Sequence, residues 1–411
     1  MAALTLENPR IRPLDVFPVQ ISGKEMIGLR DRTGISPEVV FVPPQAFLLI
    51  SLMDGENSLR DLQAAYMRKY GELLFIERIE ELIKQLDAHY LLENRRFSDY
   101  FHHLKEEFKE TNIRKAAFAG NGYEEDAERL KAQLRDCFMA REGPGLPDEG
   151  NKKREVRGIV APHIDFARGG TCYAYAYKTL AECTAGDLYV ILGTCHTPMK
   201  NPFTFTLKTF ETPLGNVEVD REVVEEVTRH LPYDPLEDEF AHRNEHTIEF
   251  QVLFLQYILK ERAFKIFPIL CNSFQEMIQK GISPLEDDLY RTSITTLKET
   301  LSSVPNLCLI ASADLAHVGP QFGDTHMVTP GTLAEIKAKD LEMLGYVEQL
   351  NGEELYRFIL RERDKRNICG LPPLYALLHL KRAQLGKLLN YQQWYDSQGR
   401  GTVTFASMSF T

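Results

Sequence analysis

The chain has no CxxC pair, no HExxH motif, no surplus of positive charge and no apolar run long enough to span a bilayer. Each absence excludes something. Without CxxC or HExxH, spacing alone does not select a metal. With 48 Lys and Arg against 59 Asp and Glu, a formal net charge of −11, the chain lacks the basic surplus that phosphate binding requires, which argues against a nucleic-acid partner. The longest apolar stretch, Val39 to Met53, is broken by Pro43, Pro44 and Gln45. It falls short of the roughly 20 residues that cross a membrane, so no membrane association is expected. The opening MAALTLENPRIRPLDV has no basic segment followed by an apolar run, so it does not read as a secretory signal and a cytoplasmic location is expected. Seven cysteines, an odd count, point to free thiols rather than a disulfide framework. Most should be small buried apolar groups.

What is present is an ordinary folded composition, 44% hydrophobic and 26% charged. At 411 residues the chain exceeds what one core usually supports, so two domains are expected, residues 1–104 and 112–411. In the first, Phe17 to Val42 suits small strands or a hairpin. Ser58-Leu-Arg-Asp61 resembles a capping box opening one helix, and Ile76, Ile79, Leu82, Ile83 and Leu86 keep one face of another apolar. The order suggests a compact helical or winged-helix α+β module. Its Leu52-Met-Asp-Gly55, Ser58 helix and Leu82 to Leu92 rhythm resembles the small peptide-binding domains related to pyrroloquinoline-quinone biosynthesis protein D, the PqqD-like winged helices. A DNA-reading winged helix has the same outline. From Ser51 to Arg96, however, seven basic and nine acidic residues give a net −2, which favours protein or peptide contact over DNA, with structural packing also open.

Beyond residue 112, Glu124 to Cys137 reads as a helix. Arg141 to Arg157, with Gly143, Pro144, Gly145, Pro147 and Lys152-Lys-Arg154, reads as an exposed loop. Short apolar runs then recur at Val156 to Ala161, Leu188 to Leu192, Phe264 to Leu270 and Leu307 to Ala311, separated by helix-length segments. That alternation predicts an α/β sheet covered on both faces. Thr402 to Phe410 alternates as a last strand.

The histidines carry the chemistry. His163 follows one run directly after Pro162, His196 follows another by a Gly-containing turn, and His317 lies just past a third, with Asp314 three residues earlier. Ligands bind at the carboxyl ends of strands in open α/β sheets, so three strands would deliver three imidazoles to one edge. A single such histidine is usually a cap or a solvated side chain; three in the same topological place count against coincidence. Imidazole ligates zinc, copper and iron and also moves protons near neutrality. Glu245, His246 and Glu249 open a helix, either as supports that orient ligands or as a polar helix start. Cys369 precedes a Gly-Pro turn, which alone says little of its reactivity.

Ala161-Pro-His163, Leu192-Gly-x-x-His196, Thr212-Pro-Leu-Gly215 with Asp220, Glu245-His-Thr-Ile-Glu249, Ser312-x-Asp314-x-x-His317 and Ile368-Cys-Gly370 occur in the order and rough spacing of the Memo family. Their arrangement resembles that family, known in bacteria and archaea as AmmeMemoRadiSam system protein B, from Ala119 to the C-terminus. The resemblance implies a three-layer α/β/α sandwich similar to class III extradiol dioxygenases. It implies one metal ion, iron or copper favoured and zinc open, held by His163, His196 and Cys369, with His317 as general acid/base beside Asp314. It further implies an AMMECR-type protein and a radical SAM enzyme as partners. Pattern and resemblance together predict one pocket gathering His163, His196, His317 and Cys369, in a metal-dependent oxidoreductase acting on a small molecule or peptide. The rival is a partner-binding scaffold using the same pocket; a cysteine hydrolase pairing Cys369 with His317 fits less well. Departures fall at Asp165, where the family has glycine, with ligation, support of His163 or solvation open to it, and at Thr197, Val318 and Gly122. Cys195, beside His196, is a second thiol that could oxidise against Cys369.

Overall fold

The computed structural model describes residues 7–31, 33–36, 38–148, 155–183, 186–260, 262–380 and 383–411. Two compact units result, Met1–Glu110 and Thr111–Thr411. In the first, β1 (Asp15–Ile21), β2 (Lys24–Arg30) and β3 (Val40–Val42) form an antiparallel sheet in that order. It is followed by α1 (Pro44–Ser51), α2 (Leu59–Tyr70), α3 (Ile76–Ala88) and α4 (Arg95–Glu110). The Ser58 and Asp61 side chains make the capping box, each accepting the other residue's backbone N–H, and Gly71 ends α2 at φ 71. Leu29, Val42, Leu62, Ile79, Ile83 and Leu86 fill the core. Asp31, buried beside them, accepts from Arg12 at 2.9 Å and from the backbone N–H groups of Thr33 and Ser36.

The second unit runs β4 (Ile113–Arg114), α5 (Ala127–Met139), β5 (Gly158–Ala161), α6 (Phe166–Ala181), β6 (Leu188–Thr194), β7 (Phe203–Phe205), β8 (Thr209–Thr212), β9 (Gly215–Val217), α7 (Arg221–His230), α8 (His246–Leu259) and β10 (Lys265–Cys271). It continues through α9 (Gln275–Lys280), α10 (Asp288–Ser302), β11 (Leu307–Ser312), β12 (Asp314–Val318), α11 (Pro330–Glu348), α12 (Gly352–Glu362), α13 (Leu371–Leu380), β13 (Gly386–Tyr395) and β14 (Thr402–Phe410). Of the expected Arg141–Arg157 loop, residues 149–154, Lys152 to Arg154 included, lie outside the described residues.

The large sheet is mixed, in the order β12-β14-β5-β11-β6-β10-β7, with β13 on β14. Its middle four strands, β5, β11, β6 and β10, are parallel, and β5, β6 and β11 are buried at every position, as continuous apolar runs in a doubly covered parallel sheet must be. Helices α6 and α8 pack on the sheet with α5 against them, and α13 packs on β6, β10 and β11 with α10 and α12 beside it. Adjacent residues show the two faces. The Ser312 hydroxyl meets α8, while Ala313 abuts Gly370 at the foot of α13.

Two details differ from the sequence expectation. His317 lies inside a short strand, β12, rather than past one, because the chain leaves β11 at Ala313 and re-pairs with β14 through a register shift between Asp314 and His317. Cys369 precedes a helix, not a Gly-Pro turn: Pro372 and Pro373 sit in the first turn of α13, where a missing N–H costs nothing. Among the described residues no helix is long and apolar enough to cross a membrane.

Candidate metal centre

The parallel register aligns Ala161, Gly193 and Ser312 across β5, β6 and β11, so the side chains borne just beyond these three strand ends converge. His163, only 2% exposed, has Nδ1 3.1 Å from the Ser312 carbonyl. A carbonyl only accepts, so the ring proton sits on Nδ1 and Nε2 keeps its lone pair. That Nε2 lies 3.2 Å from Cys369 Sγ. His196 is fixed by one carboxylate: its backbone N–H donates to Glu245 Oε2 at 2.9 Å, and its Nδ1 is 3.1 Å from each Glu245 oxygen. One ligand-capable atom from each of His163, His196 and Cys369 lies within 4.8 Å of the others, a spacing that can hold a metal ion.

Glu245 caps α8, accepting from the Thr247 N–H, and also lies 3.1 Å from His246 Nδ1. Burial pushes its carboxyl up, but the two imidazoles beside it prevail and hold it well below the usual carboxylate range. Burial pushes His196 down, and Glu245 overturns this, so its net shift is upward. His163, desolvated and facing His196 and His246, is held well below ordinary histidine. The three rings form a cluster, His196 stacked on His246 with centroids 5.1 Å apart and His163 edge-on to both at 5.3 and 5.5 Å. Burial, with Asp314 adding to it, pushes the Cys369 thiol well up. The pocket by itself therefore keeps His163 and Cys369 neutral while Glu245 favours the protonated form of His196, and a bound cation is what would make Cys369 a thiolate.

Asp314 is buried and accepts the His163 backbone N–H at 2.8 Å. His317 donates its backbone N–H to the Arg366 carbonyl at 2.7 Å, and its Nδ1 lies 3.1 Å from the Leu315 carbonyl. Burial depresses its imidazole while Asp314 opposes. Its ring nitrogens fall outside the 4.8 Å cluster formed by the other three residues. Asp165 caps α6 and binds Arg168, accepting its N–H at 3.1 Å and its Nε at 2.6 Å. Cys195 donates to the Thr197 carbonyl at 3.1 Å. It shares with His196, Cys369, Phe274, Ile278 and Asp364 a cavity of about 290 Å³.

A family model described as Memo-like protein matches residues 114–409. The chain belongs to the Memo-like family. A MEMO1 family protein of Aquifex aeolicus is 30% identical over 411 residues, covering 98% of this chain and all of the relative. One from Methanopyrus kandleri is 29% identical over 297 residues, 70% of this chain and 94% of its own length. One from Saccharolobus solfataricus is 31% identical over 275 residues, 66% and 88%.

In this Memo-like chain most of the supports around the site are not announced by any sequence motif. Gln251 donates to the Pro162 carbonyl and to the Ser312 hydroxyl, both at 2.8 Å, and accepts from Tyr177. Ser312 donates to the Thr247 carbonyl at 2.6 Å and Thr247 to the Thr194 carbonyl at 2.9 Å. One helix, α8, is thereby bonded to the ends of β5, β6 and β11. Gly193 permits this approach, since a Cβ there would meet Thr247 Oγ1 at 2.6 Å. Below α8, Arg114 and Glu249 form a pair with no side-chain exposure. Arg114 also donates to the carbonyls of His242 and Glu245 at 2.9 and 2.7 Å. The available signal was polar residues inside apolar runs, Ser312 at a strand end and Gln251 four residues after Thr247.

Proposed function

We propose that this Memo-like chain is a metal-dependent oxidoreductase with a pocket like that of the class III extradiol dioxygenases. The observation that carries this reading is the convergence of two imidazoles, each tied at Nδ1 to an acceptor, with a thiol, their donor atoms within 4.8 Å. Second-sphere acceptors on Nδ1 are the usual accompaniment of metal-binding histidines. Two nitrogens and one thiolate suit iron or copper, with zinc also compatible. The metal, when bound, would supply Lewis acidity and redox chemistry at a coordination position left open by three protein ligands.

The chain's own residues do the rest. His163, His196 and Cys369 hold the ion. Asp314 fixes the backbone of His163 and Glu245 orients His196. His317, within electrostatic reach of Asp314 and His196, takes or returns a proton on a bound small molecule or peptide. On this reading the protein works in the cytoplasm with its thiols free, alongside an AMMECR-type protein and a radical SAM enzyme. The first unit, as a PqqD-like winged helix, would present a peptide.

A second reading, a partner-binding scaffold, is favoured by one observation. The family match begins at residue 114, leaving outside it a unit that exposes Leu73 and Phe75, each 63% accessible. Elemental analysis of protein purified anaerobically without a His tag decides between them. Near-stoichiometric iron or copper, lost in His163→Ala and in Cys369→Ala, supports the oxidoreductase; wild-type protein without metal supports the scaffold.

A further inference from the structure

The segment that delivers Cys369 runs through left-handed backbone positions. Between α12 and α13, Arg363, Asp364 and Asn367 have φ values of 53, 47 and 50°, positions that aspartate and asparagine tolerate but that cost an arginine more. Such strain persists only where the surroundings over-determine it. Here Arg366, 7% exposed, inserts its guanidinium between two carboxylates. It donates to Asp340 and, at 3.0 and 2.8 Å, to Glu362. Asp340, fully buried, also accepts from the hydroxyls of Tyr391 at 2.9 Å and Thr404 at 2.5 Å. The fork is therefore gripped from α11, α12, β13 and β14.

The backbone of the same residues grips the site. The Arg366 carbonyl takes the His317 N–H at 2.7 Å, and Asn367 Nδ2 donates to the His317 carbonyl at 3.1 Å. Two residues beyond Asn367 comes Cys369, and the Gly370 N–H donates to the Asp314 carbonyl at 3.0 Å. A Cβ on Gly370 would lie 2.3 Å from that carbonyl oxygen, so no other residue fits without displacement. The loop is thus docked on β12 at both Asp314 and His317, with Cys369 between the contacts. Stability alone does not call for a buried arginine, since apolar replacement of buried ion pairs is often neutral or better.

We infer that Arg366 is a positioning residue that clamps the Cys369 thiol and His317 into one rigid unit, an inference that rests on the metal-centre reading. Cobalt(II) added to the full-length apoprotein tests it, followed by the thiolate-to-cobalt charge-transfer absorption. Wild type should develop the band and Cys369→Ala should not. Arg366→Lys, which keeps the charge but loses the fork, should bind cobalt roughly 10- to 100-fold more weakly and show a weaker band per bound ion. A merely structural role would lower the unfolding temperature and leave affinity and band unchanged, which overturns the inference. Should Arg366→Lys fail to fold, Asn367→Ala, at an exposed side chain, decides in its place. A weaker band there supports the clamp, and wild-type affinity and band refute it. A wild type with no thiolate band removes the metal-centre reading and the clamp with it, whereas a normal band in both loop variants removes the clamp alone.

Discussion

Replacing Glu249 by Leu should cost the second unit at least about 3 kcal/mol. The side chain is fully buried and accepts the backbone N–H groups of Ala117 and Phe118 at 3.0 Å each, the Tyr123 hydroxyl at 2.5 Å and the Arg114 guanidinium. Without the carboxylate, three donors lose their acceptor at about 1–3 kcal/mol each. Arg114 is also stranded, because even with burial pushing it down to about 10 it stays charged at neutral pH. Breaking a buried pair from one side typically costs about 3–5 kcal/mol, a fall in melting temperature of roughly 6–12 °C at the lower figure. The chain's one tryptophan, Trp394, lies in β13 of this unit, so urea denaturation followed by its fluorescence reports the unit selectively. Arg114→Met with Glu249→Leu removes the stranded charge and should recover part of the loss, giving a coupling of about 2 kcal/mol. A single-variant cost below about 1 kcal/mol, or strict additivity in the double variant, would refute the reasoning.

Glu245→Gln puts an amide where two imidazole Nδ1 atoms and two backbone N–H groups meet a carboxylate. Metal affinity should fall roughly 10- to 100-fold in a competition titration, and an unchanged affinity would count against Glu245 as orienting group. Gly370→Ala forces a methyl to within 2.3 Å of the Asp314 carbonyl and 2.6 Å of Ala313 Cβ. A stability loss of about 1–3 kcal/mol should come with reduced metal content, and a variant loading metal like wild type would show that the loop yields elsewhere. In the first unit, burial pushes Asp31 up, but the N–H groups of Ser36 and Thr33, the Thr33 hydroxyl and Arg12 outweigh it and hold the carboxyl below its ordinary 3.8. A lowered folded pKa means stability complete above 3.8 and lost as pH falls through the folded value. Hydrogen-exchange protection of this unit should therefore drop on acidification below pH 3.8, and Asp31→Asn should flatten that dependence. An unaltered pH profile in the variant would dismiss Asp31 as its source.

The parallel strands were legible because doubly covered strands must be apolar at every position, and the runs ending at Ala161, Leu192 and Ala311 fall within three residues of the strand ends. His163 and His196 were legible for the same reason, as polar residues directly past such runs, and Glu245 as a helix-opening acid. Arg114 was not, since its partner Glu249 lies 135 residues away and nothing local distinguishes it from a surface arginine. β12 is not legible in the sequence because a bulge breaks its alternation between Asp314 and His317. The start of α13 was obscured by Pro372 and Pro373, which mark a turn when read alone and a first helical turn when the backbone is known. The position of Cys369 depends on contacts with β12 and on left-handed residues that no periodicity announces.

The bonds from Gln251, Ser312 and Thr247 to three strand ends give the centre two unlike halves. On one side the histidines ride on a sheet that a single helix has pinned, so their separation cannot widen or narrow without opening buried hydrogen bonds. On the other, Cys369 comes from the loop after α12, which is bonded to β12 at Asp314 and His317 and to β6 through the Thr194 hydroxyl. Thiol and imidazoles are thus fastened to one frame by separate sets of bonds. On the metal-centre reading, an ion would meet a geometry set from both sides before it arrives, so its fit would be decided by the frame rather than by rearrangement of either half.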